Sequence, residues 1–591
     1  MVRLDGAPID SERAGRVRDG SRGARHLFAH GDAVGIAFDG RIDNDEDLRR
    51  DLAGASLRSW PTSDADVVLR AYERWGEACA AKLLGDFAFA LWDGTRRTLF
   101  CARDITGVRP LYYCHDAGVL SFASELPPLV RSLRSAPRPD EGVVGEYLAC
   151  RMVSTHGTLY ASIRRLPPAH ALVATSRGVR TFRYWEPPTE TSVRHASDED
   201  YAAHFREVFV EAVRCRLRPT RDGRHERRNA PIAIALSGGL DSSAVASVAA
   251  SISTGAPPIA VSMVFPGRAC DESAFIDEVV TRWRMESLRT ATTISPETYR
   301  EQAERFLDFP GYPNGLTALP MLELARSSGA HVLLTGAGGD DWLDGSSDVE
   351  RWSDMLWSGA ARATFAEIDR GNVRELRSVA AVIARRIVRR ATPSALEPLR
   401  RRIALWTHPA APTWMQPSFA RRCALDERDD TAQLPPSVGF SAAAAYASGT
   451  SPWRVHAYEL SERLARTSGL ELRHPFDDRR VIELLMSVPP EVRRKGNDAK
   501  RVLRGAMQDV VPEAVRLRRG KAEFSHEFAL AFDGLGGARA FRSLSIADAG
   551  WVDGRALERA FVAARGRDRA KGPWSLWMPL GIEMWFRAAF A

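Results

Sequence analysis

Short apolar and alternating runs separated by turn residues fill the first third of the chain, and they predict strands and hairpins. Phe87–Trp92 and Thr98–Ala102 flank an Asp-Gly pair and predict a hairpin. Ala33–Phe38 alternates into a predicted turn at Asp39-Gly40. Further elements are a helix at Ala65–Trp75 and strands at Val119–Phe122, Thr158–Tyr160 and Ala171–Ala174. We therefore expect this region to form a sandwich of sheets with flanking helices.

A second pattern follows the polar, proline-containing stretch Glu186–Ser197, which places a domain boundary near residue 195. Strands and helices then alternate along the chain. The predicted elements are a helix at Asp198–Arg216, strands at Pro231–Leu236, Ile259–Phe265 and His331–Thr335, and helices at Ala244–Ser251 and Ser273–Trp283. This alternation predicts a doubly wound parallel sheet over residues 196–591, with its ligand at the carboxyl ends of the strands.

Composition narrows the class of protein. The 591 residues are 45% hydrophobic and 27% charged, and no apolar run is long enough to span a bilayer. The first residues lack the apolar core of a signal peptide, so we expect a cytoplasmic protein. The seven cysteines are scattered and never form C-x-x-C, which predicts neither a disulfide framework nor a zinc site. The net charge of +7 fits an acidic partner or simple arginine-rich usage, and we expect no nucleic-acid partner.

The stretch PIAIALSGGLDSS carries the strongest chemical signal. A buried strand ends in two glycines, Gly238 and Gly239, and a helix follows, which is the arrangement of a phosphate cradle. Glycines let backbone N–H groups approach an anion, and serine hydroxyls add donors. The predicted cradle comprises Leu236, Ser237, Gly238, Gly239, Leu240, Asp241, Ser242 and Ser243. A carboxylate at a phosphate requires a bridging cation, so Asp241 predicts Mg²⁺.

This stretch resembles the pyrophosphate loop of the ATP pyrophosphatases, which split ATP to AMP and pyrophosphate while forming an adenylate. It is not a Walker loop, since no Gly-Lys-Ser/Thr follows. A second loop, TGAGGDD at 335–341, matches the S-G-x-G-x-D-E segment of the same family. The resemblance implies that Asp340 joins Asp241 in holding Mg²⁺, and that Met263 and Gly336 contact the nucleotide.

Residues nearer the end of the chain complete the implied site. The stretch GLELRHPFDD at 469–478 resembles the family's G-x-E-x-R-x-P-F-x-D motif. In relatives, lysines at the positions of Lys500 and Lys521 contact pyrophosphate and the adenylated intermediate, where positive charge offsets the developing negative charge. Between the motifs, residues 345–450 form a divergent insertion with an arginine-rich stretch around 385–402, which is either a binding face or a solvated helix.

The first region resembles the glutaminase domain of asparagine synthetases, an αββα sandwich of the N-terminal nucleophile (Ntn) type. RDITGVRPLY at 103–112 falls on the family's R-D-x-x-G-x-x-P-L-Y pattern. The family's catalytic cysteine is replaced, because the chain begins Met1-Val2-Arg3, and its Asn-Gly-Glu appears as Asp39-Gly40-Arg41. We therefore expect residues 1–195 to form a scaffold that does not hydrolyse glutamine, followed by an amide-forming domain at 196–591.

The position of Ala337 points to one branch of the family. Asparagine synthetases carry glutamate there and β-lactam synthetases carry a tyrosine of the base dyad, whereas alanine cannot accept a proton. Glu471 is a candidate replacement base. The chain is most similar to the lasso peptide macrolactam synthetases, which adenylate an Asp or Glu side chain of a precursor peptide and join it to the peptide's N-terminal amine. That resemblance implies ATP and Mg²⁺, a peptide substrate, a leader-binding protein and a leader peptidase.

Two alternatives remain open from the residues. One is a β-lactam- or asparagine-type synthetase acting on a small amino acid, which differs in the carboxylate that triggers pyrophosphate release. The other is a non-catalytic scaffold, which would show no Mg²⁺-dependent affinity for nucleotide.

Overall fold

The computed structural model describes most of the chain. The described residues are 2–3, 25–28, 34–52, 63–116, 118–218, 231–291, 294–343, 348–357, 359, 377–384, 387, 411–425, 427–428, 434–435, 437–495, 498–520, 522, 524–567 and 574–590. Within them, no helix combines the length and apolarity needed to cross a membrane.

Two antiparallel sheets form the first region. The strands are β1 Val2–Arg3, β2 Arg25–Phe28, β3 Val34–Gly40, β4 Phe87–Asp93, β5 Thr98–Arg103, β6 Tyr112–Asp116, β7 Val119–Ala123, β8 Ile163–Arg165, β9 His170–Thr175 and β10 Gly178–Arg183. One sheet has the order β1-β7-β6-β8 and the other β10-β9-β5-β4-β3-β2. An apolar layer that includes Leu99, Leu111 and Leu120 packs between them, as the alternating pattern requires. The predicted sandwich is therefore present.

The second region contains a sheet of five parallel strands. They are β11 Ile232–Ala235, β12 Ile259–Met263, β13 Ser287–Thr290, β14 Val332–Leu334 and β15 Glu471–Arg473, in the order β13-β12-β11-β14-β15. The strand order reverses between β11 and β14, which opens a crevice at their carboxyl ends. Both glycine-rich loops leave the sheet at this crevice.

Helices cover both faces of the parallel sheet. On one face Ile234 packs in a core with Val245 and Ile276, and on the other Ala233 packs with Leu322 and Leu464. The described α-helices of the whole chain are Asp45–Leu52, Asp64–Trp75, Leu126–Ser132, Glu141–Leu148, Asp198–Arg216, Leu240–Ile252, Ser273–Trp283, Pro296–Phe306, Pro313–Leu316, Ala318–Ser327, Gly339–Leu343, Asp348–Trp357, Pro417–Cys423, Phe440–Gly449, Pro452–Thr467, Arg479–Ser487, Pro490–Arg493, Arg501–Ala506, Glu513–Arg516, Ser525–Gly534, Ser545–Asp548, Gly554–Arg567 and Trp577–Phe590.

Most predicted elements are confirmed, and three differ. The turn predicted at Asp39-Gly40 is wrong, because β3 continues through Gly40, which pairs with Phe87. The strand predicted at Thr158–Tyr160 is reduced to an isolated bridge at Tyr160. The helix predicted from Ala244 begins at Leu240, so Asp241, Ser242 and Ser243 lie in its first turn.

Most of the arginine-rich stretch around 385–402 lies outside the described residues.

Candidate active site

The first glycine loop turns tightly from β11 into the helix Leu240–Ile252. Gly238 has φ +82°, and a Cβ there would lie 3.0 Å from the backbone oxygen of Glu272, so only glycine fits comfortably. The Ser242 hydroxyl accepts a hydrogen bond from the Ser237 backbone N–H at 3.1 Å and lies 3.0 Å from the Ser237 hydroxyl. The loop therefore places serine hydroxyls and a helix N-terminus at one point, which suits an anion.

The second glycine loop approaches the first at backbone distance. A Cβ on Gly336 would lie 2.6 Å from the backbone nitrogen of Ser242, and one on Gly339 would lie 2.6 Å from Cγ of Asp241. Either side chain would push the loops apart. The glycines of the second loop are therefore needed for this close contact rather than for turn formation alone.

Lys500 joins the two loops. Its Nζ lies 2.5 Å from Oδ2 of Asp241 and 2.6 Å from Oδ1 of Asp340. The residue adopts a left-handed backbone conformation with φ 56°, directly before the helix Arg501–Ala506. Burial alone would lower the pKa of Lys500, but the two carboxylates raise that pKa above its ordinary value, so the ammonium stays charged. The structure thus brings together three residues predicted from separate motifs.

These residues fit a magnesium–triphosphate group. Two carboxylates converge on one cationic position, and oxygen ligands of this kind are those that Mg²⁺ prefers. Bound there, the metal would neutralise phosphate charge, with Asp241 and Asp340 as its protein ligands.

A buried network under the second loop holds it in place. A Cβ on Gly338, at φ +88°, would lie 2.6 Å from Oδ1 of Asp477. Asp477 accepts a hydrogen bond from Trp342 Nε1 at 2.9 Å and also pairs with Arg454. Arg454 Nε in turn lies 3.0 Å from Oδ2 of Asp341. The sequence motif around 475–478 gave no sign that Asp477 would support a loop more than a hundred residues away.

Arg518 is a positively charged residue beside the first glycine loop that was not predicted from the sequence. Its guanidinium donates to the backbone oxygen of Gly238 at 3.4 Å, pairs with Glu272, and lies 4.3 Å from the ring centroid of Phe275. The available signal was its place in the run RRGK next to Lys521.

The other predicted site residues have different placements. Met263 ends β12 at the carboxyl edge, and Ala337 is exposed in the second loop. Lys521 lies outside the described residues.

Glu471 lies away from the glycine loops. It begins β15 and pairs with Val332 at the amino end of the sheet. Burial tends to raise its pKa, but Arg473, Arg109 and Arg41 hold that pKa well below its usual range. This environment suits an ion-pair partner rather than a proton acceptor at the loops.

Asp39 and Arg41, which replace the Asn and Glu of the glutaminase family, both form ion pairs. Arg41 Nε lies 2.6 Å from Oδ1 of Asp43, and Arg41 Nη1 lies 3.5 Å from Oε1 of Glu471. Asp39 pairs with Arg466. Both side chains therefore reach across to the second region.

Cysteines of the first region do not offer a reactive thiolate among the described residues. Burial raises the pKa of Cys79, Cys101 and Cys150 to about 12, and also raises that of Cys114.

One buried cluster has metal-ligand spacing without suiting a metal. Within the described part of the chain, Asp43, Cys215 and Asp478 are the group whose ligand atoms converge. Asp43 and Asp478 are already neutralised, since Arg41 pairs with the first at 2.6 Å and Arg216 with the second at 2.7 Å. The cluster is an ion-pair network between the two regions.

Comparisons with known proteins match the chain to two family models. The asparagine synthase family model matches residues 204–587, and the glutamine amidotransferase domain model matches residues 12–185. Asparagine synthetase [glutamine-hydrolyzing] 3 of Bacillus subtilis is 34% identical over 39% of this chain and 36% of its own length. Asparagine synthetase [glutamine-hydrolyzing] 1 of the same organism is 25% identical over 86% of this chain and 78% of its own length. Amidase chyE of Penicillium rubens is 27% identical over 51% of this chain and 46% of its own length.

Proposed function

The chain belongs to the asparagine synthase family, whose members are ATP-dependent carbon–nitrogen ligases, and we propose that it is a macrolactam synthetase acting on a peptide. It adenylates an Asp or Glu side chain of a precursor peptide and joins that carbonyl to the peptide's own N-terminal amine. In this proposal residues 1–195 are a scaffold without glutaminase activity, and residues 196–591 form the ligase domain.

The observation that carries the ATP-dependent step is the Lys500 bridge. Asp241 comes from the first glycine loop and Asp340 from the second, and one ammonium contacts both carboxylates. A charged lysine and an acidic metal site at the carboxyl edge of a parallel sheet support cleavage between the α- and β-phosphates of ATP. Lys521, as proposed from the motif, adds a second positive charge.

The reaction has two balanced steps. A carboxylate oxygen of the peptide attacks the α-phosphorus of ATP, and the bond to the β-phosphate oxygen breaks, so that pyrophosphate leaves. The N-terminal amine then attacks the adenylated carbonyl, AMP leaves with the bonding electron pair, and the amine loses one proton to solvent or buffer. Both reacting groups belong to one molecule, so proximity supplies much of the rate.

Two features favour a peptide substrate over glutamine-derived ammonia. The side chains at Asp39 and Arg41 are committed to ion pairs with the second region. Ala337 exposes only a methyl group at the second loop, so the loop itself supplies no proton acceptor for a small amine. A peptide that binds with its amine already oriented depends less on such a group. A leader-binding protein and a leader peptidase are the corresponding proposed partners.

The test is a pyrophosphate-release assay with MgATP and a panel of carboxylates. The panel contains leader-free candidate precursor peptides, the same peptides with the acceptor Asp or Glu replaced by Asn or Gln, free aspartate, free glutamate and small β-amino acids. We expect release only with peptides that retain the carboxylate. Release with free aspartate and ammonium alone would overturn the peptide assignment.

A second candidate is an ammonia-dependent synthetase of a small amide. The printed names of the Bacillus subtilis relatives favour it, since both are asparagine synthetases. The free-aspartate arm of the same assay, with ammonium chloride added, distinguishes it from the peptide ligase.

A further inference from the structure

The helix Pro452–Thr467 connects the first region to the second glycine loop. Arg454 in its first turn holds Asp341 and Asp477, and Tyr458, one turn later, donates to Oδ2 of Asp477 at 2.5 Å. This end of the helix therefore fixes the loop that carries Asp340.

One face of the rest of the helix forms hydrogen bonds and ion pairs with the first region. His456, Glu459, Glu462 and Arg466 follow a spacing of three or four residues, so they share that face. The Glu459 carboxylate accepts hydrogen bonds from three side chains of the first region. The contacts are Arg165 Nε at 2.7 Å, Arg103 Nη2 at 2.9 Å and the Tyr112 hydroxyl at 2.9 Å.

The remaining members of this face have partners of the same kind. Glu462 pairs with Arg109 and Arg466 pairs with Asp39. The Tyr147 hydroxyl lies 3.0 Å from Nδ1 of His456. Every one of these partners belongs to the first region.

The segment that matches R-D-x-x-G-x-x-P-L-Y supplies several of these contacts. Asp104 accepts from the backbone nitrogens of Gly107 at 2.6 Å and Arg109 at 2.9 Å, which folds the segment into a compact turn. Arg103 donates to the backbone oxygens of Gly107 and Arg109 before it reaches Glu459. The turn thus presents Arg103, Arg109 and Tyr112 to one helix.

We infer that the first region is a positioning element of the ligase site, and that it sets the second glycine loop through the helix Pro452–Thr467. The inference rests on the proposed function, because it assigns the loop a metal-binding role. Buried ion pairs permit few alternative positions, since a shift would leave charges uncompensated. Glu459, Glu462 and Arg454 are positioning residues that act through Asp340 rather than on the substrate.

A matched pair of tyrosine variants tests this inference. Tyr112→Phe removes the hydroxyl that bonds Glu459 on the helix. Tyr72→Phe is the control, because Tyr72 is a tyrosine of the first region that is as buried as Tyr112, each being 4% exposed, and its hydroxyl donates at 3.3 Å to Oδ2 of Asp93 within the first region. Glu459→Gln is a stronger variant for the same face.

The probe is α,β-methylene-ATP, whose binding to the full chain is measured by calorimetry over a range of Mg²⁺ concentrations. Thermal melting reports stability in parallel. We expect Tyr112→Phe to raise the half-saturating Mg²⁺ concentration about fivefold and Tyr72→Phe to change it less than about twofold, although both lower the melting temperature.

The outcomes separate the two ideas. Equal Mg²⁺ dependence in the two tyrosine variants would overturn the positioning role while leaving the ligase assignment intact. A wild-type chain that binds no Mg²⁺-nucleotide would overturn both. If Glu459→Gln does not fold, the milder Tyr112→Phe variant still decides the question.

Discussion

At the scale of single residues, Lys500 is the side chain that links the two glycine loops. Its left-handed backbone is unusual for a residue with a side chain, and such conformations concentrate where a side chain must be aimed at a fixed point. Here that point is the gap between Asp241 and Asp340. A surface lysine would gain little from this geometry, which fits the role proposed for Lys500 in stabilising departing pyrophosphate.

Replacing Lys500 with alanine is expected to abolish most of the activity without unfolding the chain. Loss of one preorganised cation at developing charge typically costs about 10²–10³ in rate. Peptide-dependent pyrophosphate release measures the effect, and Lys495→Ala, which removes a nearby lysine, serves as the control. Equal activity of the two variants would contradict the proposed role of Lys500.

Asp64 provides a prediction about pH. Burial, with the charges of Asp45 and Asp43 in addition, raises its pKa to about 7, although Ile42 N–H donates to it. The folded state therefore keeps a proton that the unfolded state loses near pH 4, so ionisation of Asp64 destabilises the fold as pH rises between about 4 and 7. Asp64→Asn should thus become more stable relative to wild type over this window, by about 2–4 kcal/mol at most.

Urea unfolding at pH 5 and pH 8 measures this difference. Glu73→Gln, which removes an exposed carboxylate from the same helix, is the control and should show little change between the two pH values. A stability difference between Asp64→Asn and wild type that stays constant with pH would show that Asp64 is ionised throughout.

At the scale of elements, the glycine loops were predictable from the sequence, but the buried residues that hold the second loop in place were not. Two glycine-rich stretches after apolar runs identify phosphate-type loops from local sequence alone. The residue beneath Gly338 is Asp477, and no local pattern connects positions so far apart. The strand β15 was missed for a related reason. It has three residues, two of them charged, and Glu471 pairs both with Arg473 of the same strand and with Arg109 of the first region.

Gly338→Ala should damage the second loop specifically. The new Cβ would lie 2.6 Å from Oδ1 of Asp477 and force that carboxylate away from Trp342 and Arg454. Gly329→Ala is the matched control, because Gly329 has the same φ of +88° but its nearest neighbouring atom, on Pro231, is 3.7 Å away.

Both glycine variants bear the cost of a left-handed alanine, on the order of 1 kcal/mol. We expect only Gly338→Ala to weaken Mg²⁺-dependent nucleotide binding, by about tenfold or more. Comparable nucleotide affinity in the two variants, measured by calorimetry, would rule out a requirement for close packing at Gly338.

At the scale of the whole molecule, the two regions are joined by buried ion pairs. The family resemblance predicted a scaffold, and the pattern of strands predicted a sandwich and a parallel sheet. Neither indicated that Arg41 and Arg109 would both approach Glu471, because pairing between distant charged residues depends on how finished domains dock. Sequence alone therefore predicted the strand architecture of each region, and the structure adds how one region holds the other.

The state of the cysteines and of the altered glutaminase positions predicts that the chain does not use glutamine. The thiols of Cys79 and Cys101 are buried with raised pKa values, and Asp39 and Arg41 face the second region. Incubation with glutamine and MgATP should release no glutamate above the buffer background. Glutamate release that an alanine variant of one of these cysteines removes would show that the first region is a working glutaminase.

The most direct test of macrolactam synthesis is the intact mass of the peptide after incubation with enzyme and MgATP. We expect a leader-free precursor peptide to lose one water while one AMP forms per peptide converted, and a peptide with an acetylated N-terminus to do neither. AMP formation with unchanged peptide mass, together with a new small-molecule amide, would contradict macrolactam synthesis.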